Sequence, residues 1–433
     1  MSESRRILLT VVPLLVSAAI MIVGNGLFGT VLAVRMDLEA FAVDRIGLIL
    51  ACYSIGFVAG TRASPVLVAR VGHIRAFTAF AAVAAVTALV HALHVSEILW
   101  AVLRVLTGFS LACLYTIIES WLNAKSTNQV RGTVMSAYMA VNFLAYGGAQ
   151  LLLPLMDPSG FQLFSLVAIL VTVSLVPLAL ARVEAPPEIV SERMGLRELV
   201  AISPLGVAGC FAAGLVNGAF NALGPLYARG VEDTTTWIAQ FMAIAVISGF
   251  VLQFPMGHLS DRYDRRTVIL GLTLALTIIG LLMGVFASLG LVILIPLLAL
   301  FGGISYTLYP ISLTQANDYV EPHRLIAASA GLLFYFGVGS AAGPVIAAQA
   351  MRIAGNGGLF FFFAAVGGIL SVFVAWRMRR RAPLPNAEQG SFVAVPQTTA
   401  EAVTLDPRSE PEDLQLSFDF DAPAEGTQRG AAE

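Results

Sequence analysis

Charged residues are scarce in this chain, and their scarcity excludes most soluble folds. Only 12% of the 433 residues are Asp, Glu, Lys or Arg, whereas 58% are hydrophobic, and the mean hydropathy is +0.83. Soluble domains carry about a quarter charged residues, which they need to cover their surface. The composition therefore indicates a polytopic membrane protein.

Cysteines and enzyme motifs are also rare. Cys52, Cys113 and Cys210 stand singly in apolar runs, so we expect small core residues rather than disulfides or metal ligands. The sequence contains neither a Gly-x-x-x-x-Gly-Lys-Ser/Thr loop for nucleotide nor a paired-histidine metal motif. We therefore predict a protein that is not an enzyme and has no cofactor and no metal, so any work it does must draw on an ion gradient.

Long apolar runs fill most of the chain. About 20 apolar residues in a helix cross the roughly 30 Å hydrocarbon core of a bilayer. The runs lack strand-like alternation and are rich in glycine, which favours close-packed helices over a β-barrel. The sequence predicts an all-α integral membrane protein with twelve transmembrane helices, at residues 7–32, 46–69, 76–93, 98–122, 133–156, 161–180, 204–228, 237–259, 267–289, 291–313, 325–351 and 359–376.

Composition changes divide the chain into four parts. Residues 1–182 and 204–381 each hold six apolar runs, and the charged residues 183–203 between them form a linker with room for a short amphipathic helix. Residues 382–433 contain ten acidic residues, two arginines and six prolines without apolar periodicity. We predict that this last part is a disordered acidic tail.

An internal repeat relates the two groups of six runs. Residues 25–28 read Asn-Gly-Leu-Phe and residues 217–220 read Asn-Gly-Ala-Phe, 192 positions later. A Tyr-Thr pair begins at Tyr115 and again at Tyr306, at nearly the same offset. Agreement between separate matches predicts two pseudo-symmetric six-helix bundles.

A charged decapeptide, residues 257–266, lies between two runs of the second half and reads Gly-His-Leu-Ser-Asp-Arg-Tyr-Asp-Arg-Arg. We predict a tight turn at the membrane surface with its arginines outside the bilayer. One interpretation is that the loop only sets orientation. The ordered spacing favours a second interpretation, a gate that clamps the ends of the second bundle in the outward-open state, formed by Gly257, Asp261, Arg262, Arg265 and Arg266.

The decapeptide resembles the loop signature Gly-x-Leu-x-Asp-Arg-x-Gly-Arg-Arg of the major facilitator superfamily of secondary transporters, with Asp264 in place of a glycine. Arg104 and Gly108 are similar to the family's Arg-x-x-x-Gly motif. Residues 118–120, 137–139, 225–227 and 306–310 together resemble the YcaD-type subgroup of bacterial transporters. The resemblance covers about residues 1–381 and implies two six-helix bundles that rock about a central cavity.

The resemblance implies a secondary active transporter that moves a small organic solute by alternating access. We expect proton coupling, and efflux rather than uptake because the helices offer few fixed charges for an ionic nutrient. Uptake or uniport needs no different fold, and a transporter-like sensor with the tail as its output is an alternative of another class. The expected partners are the solute, protons and the lipid bilayer, with no nucleic acid, and the chain acts as a monomer.

The distribution of arginines predicts the orientation of the chain. If the N-terminus is cytoplasmic, only four arginines fall in segments on the far side of the membrane: Arg35, Arg45, Arg229 and Arg352. Positive residues are retained on the cytoplasmic side. We therefore predict a bacterial inner (cytoplasmic) membrane protein with both termini in the cytoplasm.

Three charged residues inside apolar runs are the coupling candidates. A carboxylate inside the membrane must be paired, hydrated or protonated, so Glu119 is the leading candidate for proton coupling. The alternative is a structural ion pair between Glu119 and Arg62. Arg104 must also face protein or a water-filled cavity, and functional and structural roles remain open for it.

Polar and aromatic side chains on the repeated helices are the substrate candidates. Asn25, Asn217 and Asn221 each offer a donor and an acceptor where the two halves would meet. The alternative is hydrogen bonding between helices, which contributes roughly 1 kcal/mol per bond. Further candidates for the cavity wall are Phe28, Asn142, Tyr306 and Tyr309.

Overall fold

A computed structural model describes residues 3–126, 130–180, 194–285, 290–380, 382, 384–385, 389–399 and 402. These residues form a bundle of α-helices with two short 3-10 turns, Leu153–Leu155 and Pro322–Arg324. The helices are α1 (Glu3–Leu38), α2 (Val43–Val71), α3 (His73–Leu93), α4 (Glu97–Ala124), α5 (Arg131–Gln150), α6 (Gln162–Val173), α7 (Leu175–Leu180), α8 (Leu196–Ile202), α9 (Pro204–Val231), α10 (Thr235–Arg262), α11 (Arg265–Val285), α12 (Leu291–Asn317), α13 (Leu325–Ala354) and α14 (Gly358–Arg380).

The prediction of twelve membrane-spanning helices is confirmed. Eleven helices in the described part of the chain are long and apolar enough to cross a membrane, with α6 and α7 counted as one span, Gln162–Leu180. The twelfth is α5, which has 20 residues but a more polar sequence that includes Asn142 and Gln150. Helix α8, with seven residues, lies in the segment predicted as the linker.

Most helix ends differ from the predicted ones by a few residues, and two of the differences matter most here. Helix α5 ends at Gln150 instead of continuing to residue 156, because a 3-10 turn follows and Pro154 has no amide proton for a longer helix. Helix α10 continues to Arg262 and α11 begins at Arg265. The predicted ten-residue turn was therefore wrong, since only Tyr263 and Asp264 connect the two helices.

The two halves meet through helices that occupy equivalent positions in the repeat. A shift of 192 residues carries α2 onto α10 and α5 onto α13, and the halves pack α2 against α13 and α5 against α10. Each half thus contributes the same two helices to the interface. This pairing of α2 with α13 and of α5 with α10 is expected if the halves are related by a pseudo-twofold axis along the membrane normal.

Within the first half, glycine allows α2 and α4 to touch through their backbones. A Cβ atom on Gly108 would lie 2.0 Å from the carbonyl oxygen of Tyr53, and one on Gly56 would lie 2.0 Å from that of Val105. Two helices this close leave no room for a methyl group between them. The crossing fixes Tyr53 and Arg104 relative to each other.

We expect Gly108→Ala to lower the thermal unfolding midpoint of the detergent-solubilised protein, because the new methyl group forces α2 and α4 apart. The expected cost is about 1–3 kcal/mol. Gly148→Ala in α5 is the matched control, because a Cβ there meets no atom within 4 Å. Equal midpoints for the two variants would show that the helix crossing tolerates separation.

The end of the bundle that carries α8 is called here the α8 face. Arg324 at the start of α13 donates a 2.7 Å hydrogen bond to Glu198 of α8, and this bond lowers the pKa of the Glu198 carboxyl. The hydroxyl of Tyr335 also donates to the carbonyl of Leu196, at 3.3 Å. These contacts hold α8 against the second half.

At the opposite face, an ion pair joins the two halves. Arg229 at the end of α9 donates to Asp37 at the end of α1, with 2.5 Å between Nη1 and Oδ2, and to Asp233 at 2.7 Å. Asp37 and Arg229 are 192 residues apart, so they occupy the same position in the two halves. The ion pair fastens the halves together at this face.

Candidate functional site

A cavity of about 900 Å³ lies between the two halves. Helices α1, α2, α4 and α5 line it from the first half, and α9, α10, α12 and α13 line it from the second. It reaches the α8 face, where Met194, Leu196 and Ile326 belong to its wall. The size suits a small organic molecule.

The cavity is narrowed toward the opposite face by contacts between α2 and α13. The hydroxyl oxygens of Ser54 and Ser340 lie 3.0 Å apart, and Gly47 packs directly on the backbone of Pro344. The Asp37–Arg229 ion pair lies beyond these contacts. The structure therefore has its halves together at the opposite face and apart at the α8 face.

Five of the seven residues predicted to bind substrate line the cavity: Asn25, Asn142, Asn217, Asn221 and Tyr306. Asn25 Nδ2 lies 3.5 Å from the hydroxyl of Tyr53, the hydroxyl of Tyr306 donates to Asn221 Oδ1 at 2.9 Å, and Asn142 Nδ2 donates to a carbonyl of its own helix at 3.0 Å. Asn25 and Asn217 stand at equivalent positions in the two halves. One equivalent amide from each half therefore lines the cavity.

Phe28 and Tyr309 were placed wrongly among the cavity residues. Phe28 is 2% exposed and packs edge-on against His91 and Phe164, with ring centroids 5.2 and 6.3 Å away. Tyr309 is also buried, and its ring packs against Phe336 at 5.0 Å. Each residue follows a cavity residue by three positions, which turns it about 60° away around the helix.

Glu119 is fully buried near the α8 end of α4. The hydroxyl of Tyr138 donates to its Oε1 at 2.8 Å, and the hydroxyls of Thr398 and Thr399 donate to Oε1 and Oε2. These donors stabilise a buried carboxylate that hydrocarbon alone would not hold. Thr398 and Thr399 line the cavity, so Glu119 lies directly beneath the cavity wall.

Arg62 does not form the ion pair with Glu119 that was considered for it. Its guanidinium carbon lies 4.4 Å from the ring centroid of Phe334, and among the described residues no salt bridge connects it to Glu119. Arg62 lines the cavity near the α8 face, where its head group meets an aromatic ring of the other half. In this structure Arg62 makes a cation–π contact in place of the ion pair that was the alternative interpretation.

Arg104 lies on α4, like Glu119, but at the end of the cavity away from the α8 face. Its guanidinium carbon is 4.5 Å from the ring centroid of Tyr53 and 5.6 Å from that of Phe28, and the residue is 6% exposed. Its Nε and Nη1 atoms have no hydrogen-bond partner within the described part of the chain. The two aromatic faces therefore offset part of the cost of burying this charge.

Part of the tail predicted to be disordered occupies the cavity. Residues 395–399 line it together with the helices, and Val395 and Thr399 are 2% and 3% exposed. Asn217 Nδ2 donates to Gln397 Oε1 at 3.1 Å. The prediction of disorder was wrong for residues 389–399, because the cavity provides the burial that their own sequence does not. Residues 403–433 lie outside the described residues.

The residues proposed as a gate form an ion network inside the second half. Arg265 is buried in the protein, and it donates to Asp318 at the end of α12, to Asp261 at 3.3 Å and to Ser260 at 3.1 Å. Arg266 is buried as well and pairs with Asp264. The cavity is open toward the α8 face in this structure, and these contacts are nevertheless formed. They therefore hold α10, α11 and α12 against one another in this state.

The remaining gate residues have separate positions. Arg262 is exposed, and Gly257 faces the ring of Phe392 in the tail, where a Cβ would lie 2.3 Å from a ring carbon. Asp264, which replaces the family's glycine, accepts the backbone amide of Arg266 at 3.1 Å in the first turn of α11. The substitution thus supplies a helix cap.

Several cavity residues were missed by the sequence analysis: Tyr53, Ser54, Tyr146, Gln253 and Ser340. Gln253 was detectable as a lone amide in an apolar run of α10, and its Nε2 has no partner among the described residues. The Asp37–Arg229 pair was also detectable, because the 192-residue offset superposes its two members. The tyrosine and serine residues carried no signal that separates them from packing residues.

The sequence matches the Major Facilitator Superfamily over residues 14–252 and 234–407. The chain belongs to the major facilitator superfamily.

Curated relatives in the superfamily agree with the subgroup inferred from the motifs. An uncharacterized MFS-type transporter, Ent638_1421 of Enterobacter sp. (strain 638), is 29% identical over 335 residues, which cover 75% of this chain and 84% of the relative. The uncharacterized MFS-type transporter YcaD of Salmonella newport (strain SL254) is 27% identical over 350 residues, which cover 79% and 88%. The resemblance to YcaD-type transporters is confirmed, and with it the prediction of a transport protein rather than an enzyme.

A solved transporter structure shares the fold. It is a bacterial homologue of the human lysosomal transporter Spinster in an inward-facing and occupied conformation, with a TM-score of 0.72 and 13% sequence identity. The match covers 91% of this chain and 100% of that one.

Proposed function

We propose that this protein is a proton-coupled secondary transporter that exports a small organic solute across a bacterial inner membrane by alternating access. The observation that carries the proposal is the cavity between the halves, which is lined by equivalent amides from both and lies against the buried Glu119. The halves are joined at one face and apart at the other. Rocking about the cavity would expose it to each side in turn.

Export is the proposed direction because of the charges in the cavity wall. Arg62 and Arg104 are the charged residues among the described lining residues, and aromatic rings cover both. Such a wall suits a neutral or weakly polar organic compound better than a strongly ionic nutrient. The positive residues near α8 support a cytoplasmic α8 face with both termini on the same side.

Proton coupling is assigned to Glu119. A carboxylate in this position loses its hydroxyl partners from the tail when the tail leaves, and burial then favours protonation. A solute that supplies new hydrogen-bond donors would favour the ionised form of Glu119 again. The protonation state of Glu119 would thereby be linked to occupancy and to the side on which the cavity opens.

A comparison of cells that lack the protein with cells that overproduce it tests the transporter proposal. The measurement is the intracellular and extracellular level of a broad panel of metabolites and toxic compounds, together with tolerance to each compound. Export predicts that one class of solute accumulates in the cells that lack the protein. Depletion in those cells would indicate uptake, and unchanged levels and tolerance under every energised condition would favour a sensor.

The gate is also a proposal. We expect Asp261→Asn to increase the inward-open fraction, because the gate proposal requires Asp261 to make a further contact in the outward-open state, beyond its 3.3 Å contact with Arg265, and the variant removes the charge for that contact. The measurement is alkylation of a cysteine placed at Thr61, near the α8 end of the cavity, in a chain without its three natural cysteines. Unchanged alkylation in a folded variant would indicate that the loop only sets orientation.

A further inference from the structure

The tail is anchored at the α8 face by the ion network of the second half. The amide of Gly390 donates to Asp318 Oδ1 at 3.2 Å, and the amide of Phe392 donates to Asp261 Oδ1 at 2.7 Å. The carbonyl of Gly390 also accepts from Arg265. Residues 389–392 therefore bind to the ion network that joins α10, α11 and α12.

Beyond this anchor, the tail contacts both halves inside the cavity. Gln397 accepts from Asn217 of the second half, while Thr398 and Thr399 donate to Glu119 of the first. The tail thus bridges one polar group from each half, Asn217 and Glu119. A solute in the cavity would meet the same two groups.

The contacts of Glu119 indicate which hydrogen-bonding groups can take the place of the tail. Two neighbouring hydroxyls of the tail donate to different oxygens of one carboxylate, and Tyr138 supplies a third donor. An ionised carboxylate accepts only. A molecule that displaces the tail without supplying donors would remove the two hydrogen bonds that Thr398 and Thr399 give to Glu119, which costs affinity.

Asn217 adds a second requirement. Its Nδ2 donates to the tail, and its Oδ1 is buried without a partner among the described residues. A solute that presents an acceptor to Nδ2 and a donor to Oδ1 would satisfy this amide more completely than Gln397 does. A hydroxyl group offers both functions in one atom.

We propose that residues 389–399 are a tethered ligand of the cavity and that the transported solute is a neutral compound with adjacent hydroxyl groups, which displaces Thr398 and Thr399 from Glu119. The proposal rests on the proposed function, because it assigns the solute class and the regulation of the same site. A short tether holds the tail at an effective concentration in the millimolar range. Only a solute that competes with this concentration would enter the cavity from the α8 face.

A binding experiment with full-length protein tests the proposal. The probe is a fluorescent peptide of residues 389–399, and its binding is measured by anisotropy with the wild type and with Thr398→Val/Thr399→Val. This variant keeps the side-chain shape but removes both hydroxyls, so its own tail competes less. We expect the peptide to bind the variant at least about tenfold more tightly than the wild type, which is about 1.4 kcal/mol.

Two matched controls make the test specific. A peptide with valine at both threonine positions should bind the variant at least about tenfold more weakly than the natural peptide. Ribitol, which has adjacent hydroxyls, should displace the natural peptide, whereas 1,5-pentanediol, with the same number of carbons and separated hydroxyls, should not. A melting temperature of the variant equal to that of the wild type establishes that the variant is folded.

Equal binding of the two peptides, or no binding, would overturn the tethered ligand. Displacement by pentanediol as effective as that by ribitol would overturn the solute class. Failure of the proposed function has a different signature: the peptide would bind as expected while no solute of the panel moved. Solute movement without peptide binding would instead preserve the transporter and remove the tethered ligand.

Discussion

Glu119→Gln is expected to abolish gradient-driven accumulation of the solute while leaving exchange of solute across the membrane intact. Glutamine resembles the protonated carboxyl group and keeps one acceptor oxygen for a solute hydroxyl, so the variant should bind solute more weakly and still rock, but it cannot pick up or release a proton. Exchange requires no net proton movement and should continue. The measurement is solute flux in proteoliposomes with and without an imposed pH gradient, with the solute class found by the metabolite panel.

Two further variants give this prediction its controls. Glu97→Gln alters a half-exposed carboxylate on the same helix, and it should leave coupling unchanged. Glu119→Asp keeps an ionisable group with a shorter side chain and should retain partial coupling. Gradient-driven accumulation at the normal rate in a folded Glu119→Gln protein would eliminate Glu119 as the coupling group and direct attention to Arg104 or to uniport.

Asp318→Ala is expected to destabilise the protein by about 3 kcal/mol, because it leaves the buried Arg265 with the partly exposed Asp261 as its remaining carboxylate. The side chains of Arg265 and Asp318 are 1% and 3% exposed, so water cannot replace the lost partner. The measurement is the free energy of unfolding in detergent micelles from denaturant titration, in a folded preparation checked by circular dichroism.

The partners of Arg265 allow this effect to be separated from general damage. Asp261→Ala removes the partner that is 36% exposed and should cost about 1 kcal/mol or less. The double variant Arg265→Met/Asp318→Leu removes both buried charges and should recover most of the lost stability. A cost below about 1 kcal/mol for Asp318→Ala would show that the pair does not hold α11 and α12 together.

Local patterns predicted the helices and the two halves well. Apolar runs report directly on burial in lipid, so eleven predicted spans reappear as apolar helices, and α5 follows from its length. The repeat placed both Asn25 and Asn217 in the cavity wall, because an equal offset means an equal position about the pseudo-twofold axis. These features depend on residues close in sequence or related by one fixed shift.

Contacts that depend on helix rotation or on distant segments could not be predicted in the same way. Asn25 lines the cavity and Phe28 does not, although both lie in one motif, because a difference of three residues is enough to turn a side chain into the bundle. Residues 389–399 lack apolar periodicity because their burial comes from a cavity built by other helices. Nothing in the composition of the tail reports that such a cavity exists.

The equivalence of Asp37 and Arg229 bears on how the two halves can have originated. In a dimer of two identical six-helix chains, a residue on the twofold axis faces its own copy, so the contact would bring together two aspartates or two arginines. Like charges in contact repel and would push the subunits apart at this face. An attractive contact between these positions therefore requires two halves whose sequences have diverged, and a symmetric ancestor could not have had the ion pair at this face.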